Sequence, residues 1–207
     1  MKGLILLAAL VSAAPAFGQV SLPALHDVTG VAAYDVLNIR AEPKASAALL
    51  GSLPPDHTGI EVVALSPDGK WGLVNTGETS GWASMAYLAR RPEAEWFAMQ
   101  NALHCSGTEP FWGAGFDAGM TNAVQFSSPD SPKQTFDLIS VWPGETWRPV
   151  AGLTFAAADA TGMAVIRAEA CSDGMSDRTY GLSVDLFLTR NMGGDSHPLR
   201  GCCSLVP

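Results

Sequence analysis

The chain has 207 residues and is acidic, with 20 Asp and Glu against 12 Lys and Arg and a formal net charge of −8 at pH 7. Binding to nucleic acid requires a basic surface against the phosphates, so this composition argues against nucleic-acid partners and equally against an anionic membrane surface. About 47% of the residues are hydrophobic, which in a chain of this length is enough for one or two packed domains.

Residues 1–18 have the pattern of a secretory signal peptide. Lys2 is followed by an unbroken apolar run from Leu4 to Val11 and then by small residues. This run is much shorter than the roughly 20 residues that span a bilayer, and no later stretch resembles a membrane helix. We therefore expect a periplasmic or secreted protein with no transmembrane segment in the mature chain.

The next part of the chain, residues 26–91, reads as short strands separated by turns. Alternating segments such as "DVLNIR" and "WGLVNT" are separated by clusters of Gly, Pro, Asp and Ser. Asp68-Gly69 and the turn from Gly77 to Ser80 are the strongest hairpin signals. This spacing predicts a small all-β barrel or sandwich.

The same segment resembles a bacterial SH3 (SH3b) domain, with a match that extends from about Val31 to Leu88. The matching positions are Leu37-Asn38-Ile39-Arg40, Pro43, Gly51, Leu53, Trp71, Val74, Gly81-Trp82 and Tyr87-Leu88. Ala83 and Asp56 depart from the family pattern, which often has Val and Gly there. The resemblance implies an SH3-like fold that binds peptidoglycan or an envelope protein.

Three aromatic residues of this segment are candidate ligand contacts. Trp71, Trp82 and Tyr87 have amphipathic rings of the kind that line grooves for extended ligands. The alternative is that they fill the core of a small barrel.

Residues 92–104 change the pattern and predict a linker helix. Pro92 suits a first helical position, and acidic residues follow it where a helix N-terminus favours negative charge. Trp96, Met99 and Leu103 then recur at helical spacing. We expect this helix to pack onto the domain that follows.

Residues 105–207 again alternate like strands, most clearly at Tyr180, Leu182, Val184, Leu186 and Leu188. About seven strands joined by Gly, Asn and Pro turns predict an antiparallel barrel or sandwich. All four cysteines lie here, at positions 105, 171, 202 and 203, and an even number in an exported chain indicates disulfides. Four cysteines allow three pairings, one of which joins the adjacent Cys202 and Cys203.

Three segments of this domain resemble a group of uncharacterised bacterial envelope proteins. They are "CSGTEPFWGAGF" at 105–116, "CSDGMSDRTYGLSVDLFL" at 171–188 and "LRGCC" at 199–203. Related sequences can end in G-C-A and can lack the cysteine before G-x-E-P-F-W. The resemblance therefore implies that Cys171 pairs with Cys202 and Cys105 with Cys203, but it implies no activity.

Polar and charged residues cluster in these segments, and the cluster has two possible roles, one structural and one in ligand binding. Glu109, Asp173, Asp177 and Arg178 could form an ion-pair network in the fold, with Arg178 bridging carboxylates. Alternatively, they mark a ligand site, whose candidates we take to be Glu109, Trp112, Asp173, Ser176, Asp177 and Arg178.

Signatures of catalysis and of metal binding are missing from the sequence. It contains no G-x-S-x-G, S-x-x-K or H-E-x-x-H motif. The Cys and His residues are scattered rather than paired at zinc-ligand spacing, and the segment around Asp173 lacks the glycine and distal glutamate of a calcium loop. We expect no cofactor and no metal.

These observations together favour an exported, non-enzymatic binding or scaffolding protein of the cell envelope. Its SH3-type domain would recognise peptidoglycan or an envelope protein. The alternative is an envelope hydrolase or a lysozyme-inhibitor-like protein.

Overall fold

The structure is a computed structural model that describes residues 21–190 and 196–207. The predicted signal peptide, residues 1–18, lies outside this range. Within it the chain is mainly β, as predicted, and no helix is long and apolar enough to cross a membrane.

The first part of the chain forms two antiparallel sheets around one core. Their orders are β4-β1-β8 and β3-β2-β7-β6-β5. The strands are β1 Ala24–Val28, β2 Leu37–Arg40, β3 Leu49–Leu53, β4 Ile60–Val62, β5 Ala64–Leu65, β6 Trp71–Thr76, β7 Thr79–Ser84 and β8 Leu88–Arg90. A 3₁₀ turn, Met85–Tyr87, precedes β8.

Alternation explains how these strands share a core. In β2, Leu37 and Ile39 are buried while Asn38 and Arg40 are half-buried. Val74 and Ala83 are the matching inward residues of β6 and β7. Gly77 closes the tight β6–β7 hairpin with a φ of 54°, a conformation that favours glycine. This hairpin and the turn at Gly69 lie where the sequence predicts them.

The predicted linker helix at residues 92–104 is wrong. Only Trp96–Ala98 form a single 3₁₀ turn, which ends at Met99 in a left-handed conformation, and Leu103 already belongs to a strand. Trp96, Phe97, Met99 and Leu103 are all buried in the core of the second domain. These residues are apolar because they fill the core of the barrel, not because they form one face of a helix. Trp96 and Phe97 are adjacent in the sequence and both are buried, which one face of a helix would not produce.

The acidic residues of this segment, Glu93 and Glu95, form ion pairs with arginines of the first domain. Glu93 pairs with Arg91 and Glu95 with Arg90, the latter at 2.7 Å between carboxylate and guanidinium. They fasten the extended connection to the end of β8 and cap no helix.

The second domain is a closed, antiparallel, eight-stranded barrel, which decides between the barrel and the sandwich of the prediction. The order around the barrel is β10-β11-β12-β13-β14-β15-β16-β9. The strands are β9 Leu103–Thr108, β10 Phe111–Asp117, β11 Ala123–Ser128, β12 Ser131–Trp142, β13 Val150–Ala156, β14 Ala160–Cys171, β15 Tyr180–Arg190 and β16 His197–Leu205.

Side chains fill the barrel interior. Phe116, Phe136 and Phe155 are at most 2% exposed, and the ring of Phe155 contacts both others, with centroids 5.1 Å from Phe136 and 6.4 Å from Phe116. Aliphatic residues from alternate positions of the other strands complete this core. The interior is therefore a packed core, and a ligand site has to be sought on the outside or at the ends.

Both disulfides anchor β16. Cys203 pairs with Cys105 on the neighbouring strand β9, inside the barrel, with their Cα atoms 4.0 Å apart. Cys202 points to the opposite face and reaches across β15 to Cys171 at the end of β14, with a Cα separation of 5.6 Å. This is the pairing that the family resemblance implies, and the adjacent cysteines serve different partners because successive strand residues face opposite sides.

Candidate functional site

Trp71 and Trp82 lie on one face of the β6–β7 hairpin. Trp82 is opposite Leu73 and Trp71 is opposite Ser84, so the two indoles are diagonal neighbours on the face away from Val74 and the core. Both are half-buried. The structure therefore brings these two candidates together on an outer face.

Tyr87 is not part of the β6–β7 hairpin. It lies at the end of the 3₁₀ turn that precedes β8. Its side chain is 42% exposed and its ring approaches Gly30, while its carbonyl accepts a hydrogen bond from the N–H of Thr29. Its position is thus fixed by the segment after β1.

The three segments that carry the envelope-protein resemblance line one cleft on the outside of the barrel. The cleft has a volume of about 770 Å³, and all of its lining residues except Glu169 belong to segments 105–116, 171–188 and 199–203. One wall is the β9–β10 hairpin, which turns at Glu109, and the other is the loop that follows Cys171. Thr108 Oγ1 donates to the Asp173 carbonyl at 2.9 Å and ties the two walls together.

An adjoining cleft of about 430 Å³ reaches the first domain. It is lined by Trp112, Asp173 and Ser176 from the barrel and by Glu78 from the β6–β7 hairpin. Four of the predicted site residues, Glu109, Trp112, Asp173 and Ser176, therefore border this connected region.

Asp173 organises the loop between the two clefts. Its Oδ1 accepts hydrogen bonds from the N–H groups of Met175 and Ser176, and its Oδ2 accepts from Ser176 Oγ and the Tyr180 hydroxyl at 2.8 and 3.2 Å. Burial alone would raise the pKa of this carboxyl, but the four hydrogen bonds outweigh burial and lower it to about 2. Asp173 is therefore a fixed anion at neutral pH.

Asp177 and Arg178 join the two domains. The Asp177 N–H donates to the Glu78 carbonyl, and Arg178 donates to the Gly77 carbonyl at 2.6 Å and to the Glu78 carboxylate at 3.2 Å. The ion-pair network that was one of the two possible roles of these residues is not formed among the described residues, because Arg178 pairs with Glu78 of the β6–β7 hairpin instead.

Two residues that the sequence did not single out complete this contact. Asn75 and Ser80, on the same hairpin face as Trp82, hold Thr179: Ser80 Oγ accepts from the Thr179 N–H at 2.7 Å and Asn75 Nδ2 donates to its carbonyl at 3.0 Å. Their only sequence signal is a pair of polar residues that flank a hairpin turn. We call residues 176–179 with this hairpin the docking contact.

Trp112 belongs to the barrel core rather than to an exposed surface. It is 5% exposed and stacks on Phe126 at 6.2 Å, and its Nε1 has no hydrogen-bond partner among the described residues. The ring lies over Gly107, where any Cβ would collide with it. Gly107 is thus required by close packing at the edge of the cleft.

The larger cleft is mainly negative. Asp185 is neutralised by Arg167 at 2.6 Å and by Arg200 at 3.4 Å. Glu109 and Glu169 are exposed and form no ion pair within the part of the chain that the structure describes. Such a surface is suited to ligands that carry amines or other cationic groups.

All four cysteines are in disulfides, so none offers a thiolate to a metal or a substrate. In residues 21–190 and 196–207 no group of three His, Cys, Asp or Glu side chains is placed to hold a metal ion.

Asp173→Asn tests the role of the fixed anion. A carboxyl with a pKa of about 2 stabilises the fold above its ordinary pKa, and this stabilisation is lost as the pH falls through 2. We expect the variant to lower the free energy of unfolding by about 1 kcal/mol at pH 7, since solvent screens part of the effect, and by much less at pH 2.5. Urea unfolding at the two pH values measures this difference.

Asp177→Asn is the matched control, because the Asp177 side chain is exposed and the contact it makes to Glu78 uses its backbone N–H. It should leave stability unchanged at both pH values. An equal loss at pH 7 and pH 2.5 for Asp173→Asn would show that the charge of this carboxylate is not what stabilises the loop.

No protein-family model, no curated protein and no solved structure matches this chain.

Proposed function

We propose that this is an exported, non-enzymatic binding or scaffolding protein of the cell envelope. Its first domain is of the SH3 type and recognises peptidoglycan or an envelope protein, and its barrel supplies a second binding surface. The observation that carries the proposal is the cleft that collects the three resembling segments of the barrel.

The state of the acidic residues supports binding over proton transfer. Four hydrogen bonds lower the pKa of Asp173 to about 2 and hold this carboxyl ionised at neutral pH. A general acid or base works best with a pKa near the operating pH. A fixed anion is suited instead to shaping a loop and attracting a cationic group.

The outer face of the β6–β7 hairpin supports a role for the first domain. Trp71 and Trp82 lie there beside the docking contact, and both residues are half-buried rather than buried. Partly exposed indoles are frequent contributors to binding energy, because a large rigid surface is buried at a small entropic cost.

Retention of the full mature chain on purified peptidoglycan tests the proposal. We expect the wild type to sediment with the polymer and Trp82→Ala to bind roughly tenfold more weakly, as for loss of a central aromatic contact. Trp147→Ala is the matched control, because Trp147 is 77% exposed and belongs to the loop between β12 and β13 of the barrel, not to this hairpin. Equal retention of all three proteins would remove Trp82 from the binding surface, and no retention of the wild type would remove peptidoglycan as the ligand.

The acidic cleft favours a second candidate, a lysozyme-inhibitor-like protein. A basic enzyme would be attracted to the carboxylates of Glu109 and Glu169. A protein of this kind would inhibit lysozyme without turning over muropeptides, and the inhibition would weaken with added salt and in a Glu109→Lys, Glu169→Lys variant. Muropeptide turnover that disappears in Asp177→Asn would instead favour a hydrolase.

A further inference from the structure

The two domains meet at a second place, on the three-stranded sheet. The N–H of Leu205, at the end of β16, donates to Glu61 Oε1 on β4 at 3.1 Å. Beside it Pro207 packs against Gly59, at a position where a Cβ would collide with the proline ring. We call the pairing of Leu205 with Glu61 the strand-end contact.

Glu61 faces the barrel because its neighbours face the other way. Ile60 and Val62 are buried in the core of the first domain, so the side chain between them points out of that core. On the adjacent strand β1 its direct partner is Leu25, which is 4% exposed. Glu61 is half-buried there, and its carboxyl accepts a hydrogen bond from the end of β16.

No cation compensates this carboxyl among the described residues. On the same face of the sheet, Asp27 and Arg91 pair with each other at 2.8 Å. His26, at the alternate position of β1, is buried, and this burial lowers the pKa of its imidazole.

The other elements add little charge. Arg90 of β8 pairs with Glu95, and residues 204–207 carry no charged side chain. His104, across from Ser204 on β9, is exposed. The donor to Glu61 is therefore a neutral backbone N–H.

Partial removal from water without a counter-ion disfavours the ionised form of this carboxyl. Burial raises the pKa of Glu61 from its ordinary value near 4.5 to about 7, and the hydrogen bond from Leu205 opposes only part of this rise. The protonated form avoids the cost and still offers its carbonyl oxygen to the Leu205 N–H.

We propose that Glu61 is a proton-operated latch between the two domains: when protonated it holds the end of β16 against β4, and when ionised it releases that contact while the docking contact keeps the domains joined. The device is independent of which ligand the protein binds.

The direction of the pH effect follows from the two states of the contact. In the closed state the carboxyl titrates near 7, and in the open state, exposed to water, near its ordinary 4.5. Closure is therefore strongest below about pH 4.5, weakens as the pH rises towards 7, and stays weak above it. Between pH 5 and pH 8 we expect the open fraction to rise at least about tenfold, because each unit of pKa difference is a factor of ten.

Amide NMR of the full mature chain tests the latch. In the wild type, the Leu205 N–H should titrate with a midpoint near pH 7, and its protection from hydrogen exchange, corrected for the intrinsic pH dependence, should fall at least about tenfold from pH 5 to pH 8. Glu61→Gln keeps the acceptor oxygen and removes the titration, so its Leu205 N–H should stay protected at both pH values. The Val206 N–H, which donates to the Ala102 carbonyl within the barrel, is the internal control and should not change.

Glu78→Gln is the control variant, since it alters the docking contact and leaves the strand-end contact intact. It should titrate at Leu205 exactly as the wild type does. A Leu205 titration without loss of protection would overturn the latch, as would a protection loss of the same size in Glu61→Gln.

Discussion

Replacing Cys171 and Cys202 together by Ala is expected to lower the free energy of unfolding by about 3 to 4 kcal/mol. The bond spans 31 residues of sequence, and the loss of a cross-link over such a loop increases the entropy of the unfolded chain by about this amount. The bond also fixes the start of the loop that carries the docking contact. We therefore expect trypsin to cut after Arg178 faster in the variant than in the wild type, while urea unfolding measures the loss of stability.

The Cys105→Ala, Cys203→Ala variant is the matched control for that local effect. It removes a bond that spans 98 residues and should cost at least as much stability, but it lies inside the barrel between neighbouring strands. Cleavage after Arg178 under native conditions should then remain slow. Equal cleavage in the two variants would show that the Cys171–Cys202 bond does not hold the loop that carries the docking contact.

Phe155→Ala is the second large expected effect, with a loss of about 3 to 5 kcal/mol in the free energy of unfolding. The ring is 2% exposed and lies between Phe116 and Phe136 at the centre of the barrel, where the strands leave little room to collapse into the cavity. Urea unfolding followed by the near-ultraviolet circular dichroism of the aromatic residues measures both the stability and the packing of this core.

Phe187→Ala provides the comparison on the same barrel. Phe187 lies on the outer face of β15 and is 40% exposed, so its truncation leaves no cavity and should cost less than about 1 kcal/mol. Losses of similar size at the two positions would mean that the barrel interior is not the packed core described above.

Local patterns were sufficient to predict the mainly β fold, and β15 of the barrel shows why. In β15 the inward residues Leu182, Val184 and Leu186 alternate with polar residues. This alternation is typical of a strand that buries one face and exposes the other. The connection before the barrel could not be predicted in this way. Trp96, Met99 and Leu103 have helical spacing, but they fill the core from a 3₁₀ turn, an irregular segment and a strand.

Three candidate residues are neighbours in the sequence, but the contacts that each makes could not be predicted from it. Asp173, Asp177 and Arg178 are close in sequence, yet Asp173 serves its own loop while Arg178 pairs with Glu78, 100 residues earlier. Glu61 was missed for the same reason. It sits between two buried residues as a solvent-facing strand residue would, and only its contact with the end of β16 removes part of it from water.

The position of β16 sets an order of assembly. Each disulfide has one cysteine on this last strand, and β16 is also the strand that joins β15 to β9. Until it arrives, β9 and β15 have open edges that can pair with other chains, and Cys105 and Cys171 have no native partner. A chain that emerges from its amino end therefore has all strands of the first domain before β16 is available, whereas the closed barrel, its two cross-links and its cleft all require β16.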